Sequence, residues 1–153
     1  MTPPIRFYRV NEPHGVFSNF APYPIEIDGA VWPTSEHYFQ AQKFADAAHR
    51  EAIRTATSPM DAANMGRDRS RPLRDDWERV KDDVMYRALA AKFTQHPALR
   101  EQLLATGDAP LVEHTANDRY WADGGDGRGR NMLGVLLMRL RDELRAGEAP
   151  DAR

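Results

Sequence analysis

The order of apolar and polar positions divides this chain into a strand-containing beginning and a helix-rich remainder. The segment Phe7-Tyr8-Arg9-Val10 predicts a short strand. Residues 25–27 and 30–32 flank Asp28-Gly29, a dipeptide favoured in two-residue hairpin turns, so they predict a β-hairpin. After residue 34, apolar positions recur mainly three and four residues apart, which is the spacing of one helix face. Strands followed by helices predict the α+β class.

Capping residues mark the ends of the predicted helices. We expect helices to begin after Thr34, at Ala47, after Ser58, after Asp76, at Pro97 and at about Asn131. Ser58-Pro59 places a cap before a proline at the first helical position, and Gly66 could close that helix in a left-handed conformation. Leu111-Val112 predicts one more short strand between the last two helices.

Length and composition favour one globular domain. The chain has 153 residues, of which 41% are hydrophobic, and this is enough for a core. We therefore predict a mostly helical single domain at residues 1–145 with a small N-terminal antiparallel sheet or hairpin. Residues 146–153 are small and polar, and we predict that they form a frayed C-terminal tail.

Charge and cysteine usage exclude several classes of function. A formal net charge of −2 gives no overall attraction to nucleic acid or to anionic membranes. The chain has no cysteine, which removes thiolate catalysis and cysteine-based zinc sites and suits a reducing compartment. No signal peptide or membrane span is recognisable, and no nucleotide-cofactor or zinc motif is present. We predict a cytoplasmic protein without cofactor, metal or obligate protein partner.

The most informative segment is residues 31–44, which predicts a helix with polar side chains in an aromatic setting. In a helix, Glu36, Gln40 and Lys43 fall within about 60° of one another. Phe39 and Phe44 flank this polar stripe. A solvated helix face is the ordinary alternative, but exposed faces seldom interleave charges with so many rings. We therefore interpret the stripe as the wall of a pocket.

A glycine-rich segment, residues 121–131, leads directly into the last predicted helix. Its glycines could allow a ligand close to the backbone at a helix N-terminus. Asp123 and Asp126 could orient sugar hydroxyls, Arg128 could contact a phosphate, and Trp121 could stack on a base. The alternative is a flexible surface loop or a calcium-like turn of Asp and Gly residues.

Other candidates each have a structural alternative. Four arginines within eight residues could bind phosphate, or they could pair with the acidic start of the next helix: Arg67, Arg69, Arg71 and Arg74. Asn19 lies between two phenylalanines, one of them Phe20, and could read a base or ribose or satisfy a turn. His37 could serve the site, although a structural hydrogen-bonding role is the more common one for such a histidine.

These segments together resemble the NADAR family, also called YbiA-like. The similarity extends from about Phe7 to Leu144, and the block Trp32-Pro-Thr-Ser-Glu-His-Tyr-Phe-Gln40 is its most specific part. Other matching pieces are Gly15–Phe20, Ser58–Met60, Met65–Arg67, Pro72–Arg74, Asp76-Trp77, Lys92-Phe93, Leu111–His114 and Tyr120–Leu137. One position departs from the family pattern, because Ala122 stands where a glycine is usual. If that position requires positive φ, the loop would sit differently here.

The resemblance implies a YbiA-like fold and N-glycosidase chemistry. The implied substrates are the ribosylamino-pyrimidine 5′-phosphates of early riboflavin synthesis, cleaved to a pyrimidine and ribose 5-phosphate. The carboxylates of Glu36 and Asp123 would then stabilise an oxocarbenium-like state, and Lys43 would attack or polarise C1. The implied substrate-binding residues are Asn19, Phe20, Trp32, His37, Gln40, Arg67, Arg74, Trp121, Asp126, Arg128 and Asn131, with Phe20, Trp32 and Trp121 around the base.

Two other functions stay open at this point. One branch of the family removes ADP-ribose from guanine in nucleic acid, and a nucleic-acid partner is expected only in that reading. A module that binds ADP-ribose or a nucleotide sugar without catalysis could use the same pocket. The short chain and the net charge of −2 favour a small phosphorylated N-riboside over nucleic acid.

Overall fold

The computed structural model describes residues 2–147. In this part of the chain it contains four strands, six α-helices and one short 3₁₀ helix at Gly15–Phe17. The strands are β1 (Ile5–Phe7), β2 (Ile25–Ile27), β3 (Ala30–Trp32) and β4 (Leu111–Glu113). The helices are α1 (Ser35–Ala41), α2 (Ala47–Arg54), α3 (Pro59–Arg67), α4 (Trp77–Gln95), α5 (Pro97–Ala105) and α6 (Met132–Arg145). The α+β prediction with helix predominating is confirmed.

The strands form two separate two-stranded sheets. β2 and β3 make the predicted antiparallel hairpin, and both turn residues, Asp28 and Gly29, have positive φ. β1 and β4 pair in parallel, which the sequence did not predict. The first strand was predicted too late in the chain, since Tyr8 and Val10 are exposed. It is Ile5 to Phe7 that pair with β4, and the ring of Phe7 is buried.

The central helix α1 is short and entirely buried. Thr34 caps it as predicted, because its hydroxyl accepts the backbone N–H of His37. The helix ends at Ala41, however, and Lys43 lies in the following turn, where its N–H is bonded to the carbonyl of Gln40. The prediction that one helix carries Glu36, Gln40 and Lys43 is therefore wrong for Lys43, which lies beyond the last helical residue.

Two further expectations about helix ends need correction. Ser58 caps α3 as predicted, but Gly66 lies within that helix without positive φ and does not close it. Asp76 precedes α4 without making a side-chain cap, because its carboxylate is bonded to the guanidinium of Arg74. The Asp76 side chain therefore stabilises the segment before α4 and does not cap the first turn of the helix.

The core has two parts, and α4 contributes to both. One cluster gathers α4, α5, α6, β1 and β4, and it includes Phe39 from α1. The other gathers the hairpin with α1, α2 and α3, and Ala88 and Ala91 of α4 close it. α1 packs against α2, α3 and α4, so its polar residues lie between these helices and the segment that leads from β4 to α6.

The chain end was predicted to fray from residue 146. Ala146 and Gly147 still donate backbone hydrogen bonds to the end of α6, and residues 148–153 lie outside the described residues. Among residues 2–147, no helix combines the length and the apolar character needed to cross a membrane.

Candidate active site

Glu36 is a buried carboxylate at the centre of the candidate site. It is 8% exposed, and burial raises its pKa while the amide of Gln40 and the charges of Lys43 and Arg67 lower it. Gln40, four residues on, donates its Nε2–H to Oε2 of Glu36 at 2.6 Å. The backbone N–H of Glu36 is bonded to the carbonyl of Asn19. The carboxylate is thereby held in one orientation.

Lys43 places an amine beside this carboxylate. Its Nζ lies 5.8 Å from the centre of the Phe39 ring. Burial lowers its pKa to about 8; the charge of Glu36 opposes that shift, and Arg69 and Arg67 add to it. A fraction of the amine is therefore neutral near pH 7, which is the state that can act as a nucleophile.

α3 brings a second cation and a glycine to the same place. Arg67 donates to Asn64 Oδ1, and its charge acts on both Glu36 and Lys43. Gly66 allows α3 to approach α1, because a Cβ there would lie 1.9 Å from Oε1 of Gln40. Gln40 is 6% exposed, and its Oε1 has no hydrogen-bond partner in the described part of the chain.

Aromatic rings form one wall of the site. Phe39 contacts Trp77 and Trp121, with ring centres 5.2 Å and 5.3 Å apart. Trp121 also meets Tyr120 edge-on at 4.9 Å and is half-buried. These rings make the surroundings of the carboxylate and the amine apolar, and Trp121, the half-buried member, is the one that could meet a flat ring.

Asp123, predicted to be catalytic, braces the glycine-rich segment. Its buried carboxylate accepts from His114 Nδ1 at 2.7 Å, from the N–H of Gly125 at 2.8 Å and from that of Thr115 at 3.2 Å. Burial raises its pKa, but these hydrogen bonds outweigh that effect and leave the pKa below its ordinary value. Both oxygens are engaged within the protein, so the geometry gives a catalytic role no support.

The glycine-rich segment is ordered by its own hydrogen bonds. Asp126 is exposed and is bonded to the N–H of Arg128 and to Arg119, and Arg128 is exposed too. The amide of Asn131 accepts from the N–H of Glu113 and donates to the carbonyl of Leu111, which ties α6 to β4. Ala122 is buried and lacks positive φ, so alanine fits the position where the family usually has glycine.

Two other predicted binding residues, His37 and Asn19, are held by structural contacts. Both nitrogens of His37 are engaged, one by Thr34 Oγ1 and one by the carbonyl of Ala56. The Asn19 amide accepts from the hydroxyl of Ser35 and contacts the sulfur of Met85. These observations agree with the structural alternatives considered for His37 and Asn19.

The three aromatic residues predicted to surround the base, Phe20, Trp32 and Trp121, have different packing environments. Trp32 lies in the second core cluster, edge-on to Tyr38 with ring centres 5.3 Å apart. Trp121 packs against the first cluster, on the ring of Phe39. Phe20 is half-buried in the segment before the hairpin.

The arginine cluster divides between the two roles considered for it. Arg74 forms an ion pair with Asp76 at 2.6 Å and donates to the carbonyl of Gln42, so it braces the start of α4. Arg69 donates to backbone carbonyls of α3, and Arg71 pairs with Asp68 and His49. Arg67 is the member whose charge acts on both Glu36 and Lys43, and it is exposed.

Two carboxyl groups near Glu36, those of Glu113 and Asp118, were not predicted as site residues from the sequence. Burial raises the pKa of Glu113 to about 8, and the charges of Asp118, Glu36 and Asp123 add to that shift. Asp118 also acts on Glu36, and its Oδ1 accepts the N–H groups of Tyr120 and Trp121. The available signal was a glutamate at the end of a short strand that is otherwise apolar.

Comparison with known proteins connects this site to a family. The NADAR domain profile matches residues 6–145. "N-glycosidase YbiA" of Escherichia coli (strain K12) is 63% identical over 140 residues, which cover 92% of this chain and 88% of that protein. The NMR structure of YbiA from Escherichia coli superposes with a TM-score of 0.89 at 60% identity, over 96% of this chain and 88% of that one.

A longer relative shares the same domain. "Riboflavin biosynthesis protein VVA0006" of Vibrio vulnificus is 45% identical over 144 residues, covering 94% of this chain but 39% of that protein. The profile match spans nearly the whole chain, and the 63% identity covers most of both proteins. This chain therefore belongs to the NADAR family.

Proposed function

We propose that this protein is an N-glycosidase that hydrolyses the ribosyl C1–N bond of ribosylamino-pyrimidine 5′-phosphates, the early intermediates of riboflavin synthesis. The products are a pyrimidine and ribose 5-phosphate. The observation that carries the proposal is the buried carboxylate of Glu36, held by Gln40 beside the amine of Lys43. The names of the relatives, an N-glycosidase and a riboflavin biosynthesis protein, support the same substrate class.

Glu36 fits the electrostatic requirement of this reaction. Breaking the C1–N bond leaves positive charge on C1 and the ring oxygen, and a fixed carboxylate nearby stabilises that charge. Water then adds its oxygen to C1, and one of its protons is released. Gln40 keeps Glu36 oriented while the charge develops, so no reorganisation is needed at that moment.

Lys43 can take part in either of two ways. As a cation it would face a negative group of the substrate. As a neutral amine it could attack C1 of the opened ribose and form an imine, which water later hydrolyses. Its pKa of about 8 makes both forms available near neutral pH. We propose Lys43 as a catalytic residue, and trapping of a covalent sugar adduct would distinguish the imine route from the electrostatic one.

Binding of the substrate would use the surroundings of this pair. Arg67 is placed to attract the 5′-phosphate, since its charge already acts on Glu36 and Lys43. Trp121, which packs against Phe39, offers an aromatic ring to the pyrimidine. We propose a small phosphorylated N-riboside as the substrate and the cytoplasm as the location. The proposed reaction requires no cofactor and no protein partner.

A side-by-side assay of purified protein tests the proposal. It is incubated with a ribosylamino-pyrimidine 5′-phosphate, with its dephosphorylated form and with ADP-ribosylated guanosine. We expect release of ribose 5-phosphate from the first substrate at the highest kcat/KM. Preferred release of ADP-ribose would assign the chain to the nucleic-acid branch, and binding without turnover of any substrate would make it a non-catalytic module.

A further inference from the structure

Glu113 differs from the other carboxyl groups around the site. Asp123 accepts three hydrogen bonds, Asp118 accepts two from backbone N–H groups, and Glu36 accepts one from Gln40. Within residues 2–147, no hydrogen-bond donor is found on the carboxyl of Glu113. These donors stabilise the ionised forms of the other three groups, and Glu113 has no such stabilisation.

The backbone holds Glu113 firmly at the end of β4. Its N–H donates to Asn131 Oδ1, and its carbonyl accepts the N–H of Asp123. In the sheet it is paired with Phe7 of β1. Glu113 is therefore fixed against α6, the glycine-rich segment and β1 while its half-buried side chain remains unbonded.

The charged groups that act on Glu113 are all negative. They are Asp118 and Asp123 from the segment after β4, and Glu36 from α1. The residues that β1 and α6 bring to Glu113, Phe7 and Asn131, do not titrate. Burial raises the pKa of Glu113 to about 8, and these three carboxylates add to that shift. At pH 7 most molecules therefore carry a protonated Glu113.

We propose that Glu113 is the acid that protonates the leaving nitrogen when the C1–N bond breaks at this site. The inference rests on the proposed function. In this step the electron pair of the C1–N bond goes to nitrogen, and the proton of the Glu113 carboxyl is transferred to the same nitrogen. The pyrimidine leaves as a neutral amine. Water supplies the hydroxyl at C1, and its released proton restores the Glu113 acid.

The two glutamates of the site have opposite surroundings. Burial raises the pKa of Glu36 overall, but the cations Lys43 and Arg67 and the hydrogen bond from Gln40 favour its ionised form. Glu113 faces carboxylates only. Glycoside hydrolysis uses two carboxyl groups, one that donates a proton and one that stabilises positive charge, and two carboxyls with surroundings this different can divide those roles. The buried and unpartnered Oε1 of Gln40 is a further polar atom at the same place that a ligand could satisfy.

A leaving-group experiment separates an acid from a merely structural glutamate. Glu113→Gln and wild type are compared on the ribosylamino-pyrimidine 5′-phosphate and on 4-nitrophenyl riboside 5-phosphate, whose leaving group departs without a proton. We expect Glu113→Gln to lose about 100-fold or more in kcat on the N-riboside, the usual scale for an acid catalyst, and much less on the nitrophenyl compound. Glu101→Gln, on the exposed face of α5, is the matched control.

A second measurement does not depend on turnover. The Glu113 carboxyl is titrated by NMR in protein with labelled glutamate, and the urea midpoints of wild type and Glu113→Gln are compared from pH 5 to pH 8. We expect a titration midpoint near 8. We also expect the urea midpoint of Glu113→Gln to rise relative to that of wild type as the pH increases, because wild type must then take up a proton on folding that the unfolded chain has released.

The outcomes distinguish this inference from the proposed function. Equal losses on both substrates, an unchanged rate on the N-riboside or a midpoint below about 5 would overturn the role of Glu113 while the N-glycosidase assignment stands. If wild type releases no ribose 5-phosphate, the proposed function fails, and the acid role of Glu113 fails with it.

Discussion

Glu36 and Lys43 each sit where water is scarce, and each shifts the pKa of the other. Burial raises the pKa of Glu36 and lowers that of Lys43, whereas their mutual attraction works against both shifts. Burial thus favours the neutral form of each group, and the charge of the other favours its ionised form. Groups poised in this way are concentrated at functional sites, because proton transfer and nucleophilic attack require both forms.

Replacing Glu36 by glutamine removes its charge and keeps its size. We expect Glu36→Gln to fold as wild type does and to lose roughly two or more orders of magnitude in kcat, the scale of a positioned electrostatic group. The measurement is release of ribose 5-phosphate, with circular dichroism as the check on folding. Turnover within about threefold of wild type would reduce Glu36 to a structural residue.

Lys43 is tested by comparing two replacements. Lys43→Arg keeps a cation but cannot form an imine, so on the imine route it should be nearly as inactive as Lys43→Ala. Borohydride added during turnover should then trap a sugar adduct on wild type, detected by mass spectrometry, and none on Lys43→Arg. An active Lys43→Arg with no adduct in either protein would leave Lys43 as an electrostatic residue.

At the scale of elements, the site depends on how closely α3 approaches α1. Gly66 leaves just enough room for the side chain of Gln40, whose amide then reaches Glu36. The arginines at the end of α3 and after it also differ in role according to their position. Arg67 ends the helix near Glu36, whereas Arg74 is bonded to Asp76 ahead of α4.

A methyl group at position 66 should disturb the site without touching substrate. In Gly66→Ala the new Cβ would lie 1.9 Å from Gln40 Oε1, so the amide must move and its bond to Glu36 weakens. Because that bond lowers the pKa of Glu36, we expect the acid limb of the pH–rate profile to shift upward and kcat to fall. In a Gln40→Ala background the same change should have little further effect; an additive loss would show that Gly66 acts elsewhere.

The two arginines should respond differently to loss of the substrate phosphate. We expect Arg67→Ala to raise KM for the 5′-phosphate by about 10-fold or more, as for a charge-assisted hydrogen bond, and to leave the free riboside unaffected. Arg74→Ala should instead lower the urea midpoint, because Asp76 loses its partner. Equal effects of Arg67→Ala on both substrates would contradict phosphate binding there.

Local signals predicted elements well and long-range contacts poorly. The caps Thr34 and Ser58 and the turn Asp28-Gly29 act over a few residues, so the sequence shows them directly. The pairing of β1 with β4 joins residues about a hundred positions apart and has no local signature. The early end of α1 was missed because residues 42 and 43 suit a helix equally well.

The same division holds for the site. Glu36, Gln40 and Lys43 were found because they lie within one segment, and the structure brings them together. Asp123 was predicted to be catalytic because its loop has the composition of a ligand site, whereas Glu113 was not among the candidates. In the folded chain, His114 and two backbone N–H groups donate hydrogen bonds to the carboxylate of Asp123. These contacts depend on the fold, so the sequence alone could not show them.

On the scale of the whole molecule, α4 joins the two halves of the core and also carries a buried cation. Lys92 is 0% exposed and lies close to the rings of Phe93 and Tyr23. Its Nζ donates to the carbonyl of Ser18 at 2.8 Å. The next residue, Asn19, accepts the N–H of Glu36, so Lys92 supports the segment that orients the candidate catalytic carboxylate.

This lysine should make stability depend on pH. Burial lowers its pKa from 10.5 to about 7, so between these values the unfolded chain binds a proton that the folded chain does not. Stability from this group therefore rises with pH across that window, by at most about 1.4 kcal/mol per pH unit. Lys92→Met fills the same space without a charge, and we expect it to be more stable than wild type at pH 7, with the difference shrinking towards pH 10. Urea midpoints of the two proteins at pH 7, 8.5 and 10 measure this difference directly. Glu113 and Lys43 titrate in both proteins, so their contributions cancel in the comparison. Parallel curves would therefore mean that Lys92 stays charged in the folded protein.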